Sequence, residues 1–234
     1  MQELTFEKES ACQRSGFSLV VGVDEAGRGP LAGPVVACAA AYRDQRDFAV
    51  PEDSENLMRF VRDSKMLSEK KRDEMYDFIH EYFFTGTGIV HPETIDRINI
   101  LEATFLAMKE AVGDLRRTMQ NGGVSDDVVI LLVDGNMVIP NLSVKQAAIV
   151  DGDALVRSIA AASIVAKVTR DRMMLEYDRM YPEYGFAKHK GYGTKIHMDA
   201  LRKHGACPIH RMSFKPVFYS IPENVNRNLL SRKK

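Results

Sequence analysis

The chain holds 234 residues, enough for one to two domains at about 150 residues each. A 45% hydrophobic and 27% charged composition is that of a globular protein, which excludes wholesale disorder, collagen and a coiled coil. No apolar run approaches the ~18 residues of a membrane span, and the start MQELTFEKESACQR lacks the apolar core of a secretory signal. Cys12, Cys38 and Cys207 lie far apart without CxxC spacing, which reads as reduced thiols in a cytosolic protein. The net charge of zero conceals an asymmetry. Residues 188–234 carry eleven Lys and Arg against Asp199 and Glu223, a net of +9; the remainder, with 21 bases against 30 acids, carries −9. An acidic body with a basic C-terminal segment suits a protein that holds cations in one place and phosphates in another.

Residues 1–17 read as a polar lead-in. The β-branched run SLVVGV (18–23) predicts a buried strand stopped by DEAGRGP, and PVVACAAAY (34–42) a second, antiparallel to it. Residues 45–64 are polar and loop-rich. Ser68 fits the N-cap of a helix whose face carries Met75, Phe78, Ile79 and Tyr82. FFTGTGIV (83–90) predicts another strand. One helix is expected from Pro92 to Leu115, with Ile95, Ile98, Leu101, Phe105, Met108 and Val112 at helical spacing. VVILLV (128–133) is the most strand-like run, ending at Asp134-Gly135. QAAIV (146–150) predicts a short strand broken by Asp151-Gly152-Asp153, and a long helix is expected from Ala154 to Tyr177. The pattern predicts a mixed α/β catalytic domain over 18–187, with 188–234 as a basic extension.

Three acidic groups sit where an apolar element ends: Asp24-Glu25, Asp134 and Asp153. Carboxylates without Cys or neighbouring His are hard oxygen ligands, suited to Mg²⁺ or Mn²⁺. Packed together they would repel one another unless a cation neutralised them. Each also has a plainer reading: a turn at Asp134-Gly135, a solvated strand end at Asp24-Glu25, and an N-cap at Asp153.

In the stretch from Asp24 to Pro34, Gly27 and Gly29 permit close backbone approach, and Arg28 offers a bidentate guanidinium to phosphate. A dinucleotide-binding loop fits badly, because the spacing is not GxGxxG and two carboxylates precede it. GVDEAGRGPLAGPVV closely resembles the N-terminal signature of the ribonuclease HII family. The resemblance continues in order through Asp63 to Ser68 (DSKMLS), Val133-Asp134-Gly135, Ser158 to Asp171, Tyr181 to Phe186 (YPEYGF), His189 to Thr194 (HKGYGT) and His210 to Phe214 (HRMSF). It covers nearly all of residues 18–216.

The resemblance implies an RNase H-like fold with a central mixed sheet. It implies a two-metal endonuclease that cuts the RNA of RNA–DNA hybrids and single ribonucleotides in duplex DNA, leaving 3′-hydroxyl and 5′-phosphate ends. By position it makes Asp24, Glu25 and Asp134 the core ligands of Mn²⁺ or Mg²⁺, with Asp153 the fourth. The family's frequent Lys-Gly-Asp triplet is Asp151-Gly152-Asp153 here, so the local charge is more negative. Gly27, Arg28 and Gly29 resemble the loop that reads the 2′-hydroxyl at the RNA-to-DNA junction, and Tyr192 the tyrosine that packs on the sugar there.

In the basic segment Lys188 and Lys190 stand among Tyr184, Phe186, Tyr192 and Phe214, a mixture suited to tracking phosphates, and Lys65 is a further phosphate contact. Lys203 and Lys215 read as solvated charges. His189, His197, His204 and His210 are spaced by 8, 7 and 6, which matches no common zinc pattern. The related ribonuclease HIII usually carries an extra N-terminal domain, and 17 residues before SLVVGV are too few for one. A non-catalytic hybrid-binding protein would have no use for four such carboxylates. The reading is therefore a monomeric, cytoplasmic nuclease with no membrane partner.

Overall fold

A computed structural model describes residues 4–45, 48–62, 64, 67–121 and 128–220. In chain order these form α1 (Glu7–Arg14), β1 (Leu19–Ala26), β2 (Val35–Tyr42), a 3₁₀ turn (Glu52–Ser54), α2 (Glu55–Met58), α3 (Glu69–Tyr82), β3 (Phe83–Val90), α4 (Pro92–Ile98) and α5 (Ile100–Asn121). There follow β4 (Val129–Asp134), β5 (Lys145–Ile149), α6 (Gly152–Leu155), α7 (Arg157–Met180), α8 (Phe186–His189), α9 (Lys195–His204) and α10 (Lys215–Ser220). The five strands form one mixed sheet in the order β3-β2-β1-β4-β5. β1 runs antiparallel to β2 and parallel to β4, and β4 runs parallel to β5. The expected α/β class and the antiparallel start are both present.

Two compact units account for the described residues, the first within 1–26, 36–89 and 105–168, the second within 27–35, 90–104 and 169–234. In the first, strand alternation sorts β1 onto two faces. Leu19 and Val21 meet Val112, Leu115 and Met119 of α5, together with Val129 and Leu131 of β4. Val20 packs with Ile130, Leu132, Val156 and Ile159. Gly22 lies on that second face, and a Cβ there would collide with the main chain of Ser158 and Ile159. The start of α7 therefore approaches β1 more closely than any larger residue allows. Glu9 of α1, wholly buried, accepts from Ser158 N at 2.8 Å and ties the lead-in helix to that same turn. Burial raises the pKa of its carboxyl above the usual range.

The second unit has its own apolar core. Met174, Tyr184, Phe186, Ala200, Cys207 and Ile209 pack with Ala32, and Leu31 packs with Leu201 and Val217.

Ser68 caps α3 as expected, accepting from Lys71 N at 3.2 Å, and Met75, Phe78 and Ile79 are buried. Two helices expected to be continuous are broken. The first stops at Asn99, which takes φ +70°; its side chain accepts from Leu101 N and Glu102 N at 2.9 and 3.1 Å and starts α5 afresh. Asn caps well, so the apolar spacing carries across a real break. The second break is at Val156, extended at φ −132°, ψ 121°, which separates the single turn of α6 from α7. Among the described residues no helix is long and apolar enough to cross a membrane.

Candidate active site

The parallel register of β1 and β4 pairs Val23 with Val133, so Asp24 and Asp134 occupy the next position on neighbouring strands. Their parity matches Val20 and Leu132, which puts both on the α7 face; Glu25 has the opposite parity. Asp24 is 5% exposed. Burial pushes its carboxyl well above the ordinary range, and the charges of Glu25 and Asp134 push it further. A hydrogen bond from Ser163 and one from Glu25 N, at 2.6 Å to Asp24 Oδ1, act the other way without cancelling that.

Asp134 Oδ1 accepts from Gly152 N at 2.7 Å. A Cβ at Gly152 would stand 3.0 Å from that oxygen and 2.7 Å from Ile159 Cδ1, so a larger residue there would push against both side chains. Asp151 is exposed and left-handed, at φ 54°. Asp153 is 7% exposed and lies inside the first turn of α6. The N-cap position there belongs to Asp151, and no side chain caps it. The plainer reading of Asp153 as an N-cap is thereby overturned: the triplet turns two residues earlier than its apolar pattern predicts.

The carboxylates are hard oxygen donors, and Asp24 pairs across the sheet with Cys38, whose buried thiol the Asp24 charge helps to keep protonated. Among the described residues, no three of His, Cys, Asp and Glu stand close enough to form a ready cation cage. Mutual repulsion around Asp24 is the observation that fits a hard divalent cation, because a cation would relieve it. Ser163 bonds to Asp24 and stands 3.0 Å from Ser64 Oγ, the Ser of the DSKMLS motif. Neither serine has a role in the sequence reading, because their contact joins residues 99 positions apart. Lys65 lies outside the described residues.

The second unit holds the other expected contacts. Gly27 takes φ +96° and packs against the Arg170 side chain, which leaves no room for a Cβ. Arg28 and Gly29 are exposed at the loop tip, while Pro30 to Pro34 are buried. A Cβ on Gly29 would stand 3.6 Å from Tyr192 Cε1, so the loop and the half-exposed tyrosine ring are neighbours. Lys188 is exposed. Lys190 is half-buried: its Nζ donates to Ala187 O at 2.7 Å, and its own carbonyl accepts from Arg170.

His189, His197 and His210 are engaged in hydrogen bonds. His197 Nδ1 faces the Tyr192 carbonyl at 2.9 Å, so it carries the proton. Its Nε2 then accepts from His210 Nε2 at 2.9 Å, and His210 Nδ1 accepts from Cys207 N at 3.0 Å. Each ring is satisfied when neutral. Burial lowers His197, and burial together with His197 lowers His210 to about 4. No ring nitrogen of this pair is left for zinc, in line with the spacing argument. The pair was missed as a support for Tyr192 because its members lie 13 residues apart.

The family model for ribonuclease HII matches residues 21–217. A ribonuclease HII of Endomicrobium trichonymphae is 51% identical over 203 residues, 86% of this chain and 88% of that one. That of Bacillus pumilus is 49% identical over 215 residues, 92% of this chain and 76% of that one. Among solved structures, the ribonuclease H2 of Pyrococcus horikoshii OT3 superposes with a TM-score of 0.63 at 25% identity, over 92% of this chain and 100% of that chain. The mixed sheet with its flanking helices is thus an RNase H-like fold.

Proposed function

The chain belongs to the ribonuclease HII family, and we propose that it hydrolyses the RNA strand of RNA–DNA hybrids and cuts on the 5′ side of single ribonucleotides embedded in duplex DNA, so removing misincorporated ribonucleotides. One observation carries the reading: two carboxylates on adjacent parallel strand ends, on one face, with Asp24 buried among like charges. Asp24, Glu25, Asp134 and Asp153 would hold Mg²⁺ or Mn²⁺. When bound, a pair of such ions supplies a hydroxide at neutral pH and charge for the leaving oxygen.

The chain's own residues do the rest. Water attacks phosphorus, the bond to the 3′ oxygen breaks, and that oxygen leaves with a proton; the ends are a 3′-hydroxyl and a 5′-phosphate. Ser163 and the Gly152 N–H keep Asp24 and Asp134 in one orientation, which limits reorganisation during the reaction. The Gly27-Arg28-Gly29 loop and the Tyr192 ring read the 2′-hydroxyl and the sugar, which separate RNA from DNA. Lys188 meets backbone phosphate, a contact that positions without reading sequence. The enzyme acts as a cytoplasmic monomer.

The test is cleavage of a DNA duplex containing one ribonucleotide, with Mg²⁺ or Mn²⁺ and with chelator. Metal-dependent cleavage leaving a 3′-hydroxyl is expected, and Asp153→Asn should lose it while melting normally. Absence of metal-dependent cleavage by the folded wild type would falsify the reading.

A further inference from the structure

Arg170 on α7 and Arg211 beyond α9 are 1% and 0% exposed. A guanidinium keeps its charge in proteins, and burying one is costly unless its N–H groups are satisfied. Here six hydrogen bonds run to main-chain carbonyls. Arg211 Nη2, Nη1 and Nε donate to Gly27, Arg28 and Gly33 at 2.6, 3.0 and 3.0 Å. Arg170 Nε, Nη2 and Nη1 donate to Pro34, Ala32 and Lys190 at 3.0, 3.1 and 3.0 Å.

These carbonyls belong to the two segments that carry the ribose-reading groups. Main-chain bonds join the same segments: Leu31 N donates to Gly191 O at 2.8 Å, and Arg211 N to Leu31 O at 2.9 Å. Beyond Arg211, Asp96 accepts from Met212 N, Ser213 N and Ser213 Oγ at 2.8, 2.9 and 2.6 Å, which fixes the turn that delivers the guanidinium. A planar fork sets the direction as well as the distance of each carbonyl it holds. The exposed tip Arg28-Gly29 therefore hangs from a buried frame whose other end is Lys190-Gly191-Tyr192.

We propose that Arg170 and Arg211 are positioning residues for ribose reading: without touching substrate, they lock the Gly27–Gly29 loop and the Tyr192 segment into one geometry and so set the preference for an isolated ribonucleotide. This rests on the function proposed above. An isolated ribonucleotide offers one 2′-hydroxyl in one register, so a loosened frame cannot be rescued by sliding. A long hybrid offers many registers and tolerates looseness better.

Lysine replacements test it, because they keep the charge and lose the fork. Wild type, Arg211→Lys and Arg170→Lys are compared on a duplex with one ribonucleotide and on a long hybrid, with kcat and KM separated. On the single-ribonucleotide duplex kcat/KM should fall at least about tenfold, mainly in kcat, as misplacement by a fraction of an ångström predicts. The fall on the hybrid should be several times smaller. A folded variant that loses both activities equally, or neither, overturns the inference. Should the lysine variants not fold, the wild-type arginine Nε–H signals decide by NMR. Slow exchange and a shift on binding the ribonucleotide duplex, but not all-DNA duplex, support the frame; solvent-like exchange overturns it. A wild type that cuts neither substrate sinks the proposed function, and slow Nε–H exchange would then still establish the buried frame.

Discussion

Asp24 and Asp134 stand at the ends of two hydrogen-bonded strands, whereas Arg28 and Gly29 stand at the tip of a loop held by arginine side chains. The strand ends inherit their spacing from the ladder, which repeats along the whole of β1 and β4. The loop inherits its shape from five side-chain bonds that come from residues more than a hundred positions away, and a sixth ties the Lys190 segment to the same frame. The acidic centre should thus respond to loss of charge, and the loop to loss of geometry.

The largest effect is expected at the strand ends. Asp24→Asn or Asp134→Asn should reduce cleavage by more than about 100-fold, since direct ligands matter more than the groups that orient them, and leave duplex binding intact. Asp24→Asn should also raise the melting temperature in chelator. The folded pKa of Asp24 lies above its unfolded value, so its contribution to stability is present at low pH and lost as pH rises through that range. An Asn cannot ionise and escapes the loss. A lowered melting temperature would show that the centre is not repulsive.

A smaller loss is expected one shell out. Ser163→Ala should cost about tenfold in activity, the usual scale for a group that orients a ligand, and weaken the response to added Mn²⁺. Unchanged metal titration would remove Ser163 from the site and leave its bond to Asp24 as packing alone.

In the second unit, Tyr192→Ala should lower the ratio of initial rates on a single ribonucleotide and on a long hybrid, at fixed salt, by several-fold. Tyr192→Phe should be milder, because packing on a sugar uses the ring. An unchanged ratio in the alanine variant would make Tyr192 structural and move ribose reading to the loop alone.

The smallest effect is on stability and concerns the support behind Tyr192. His210 is held near 4 in the folded state against 6.5 unfolded. Between those values the unfolded chain takes the proton and the folded one does not, so this group's contribution is lost as pH falls from 6.5 towards 4. The full term is of order 3 kcal/mol. Glu9 and Asp24 act in the opposite direction, so the difference between proteins is the useful measure. His210→Gln should show a smaller drop in melting temperature between pH 7 and pH 5 than wild type. An equal drop would place the acid sensitivity in other groups.

Much was legible where a pattern repeats. The continuous β-branched runs SLVVGV and VVILLV located β1 and β4, and Ser68 announced α3. Asp24, Glu25 and Asp134 stand out because an apolar strand ends in acid. Short-range geometry was harder to read. The apolar spacing runs through Asn99 and up to Val156 without recording either break, because a single residue can turn the chain while its neighbours keep their faces. A cap stayed open as the plainer reading of Asp153 because the triplet gives no sign that Asp151 turns first.

By itself, then, the sequence determined the class of fold, the strands that carry the acid and the family to which its motifs point, since these follow from periodic burial and from contiguous residues. The tertiary structure alone decided that Ser163 orients Asp24, that Gly152 donates to Asp134, that Lys190 is folded back onto its own helix, and that two arginines near the end of the chain hold a loop near its beginning. Each of these is a contact between residues distant in the chain or a backbone turn with no period, and it forms only once burial has brought the partners together and made an unsatisfied polar group too costly to leave.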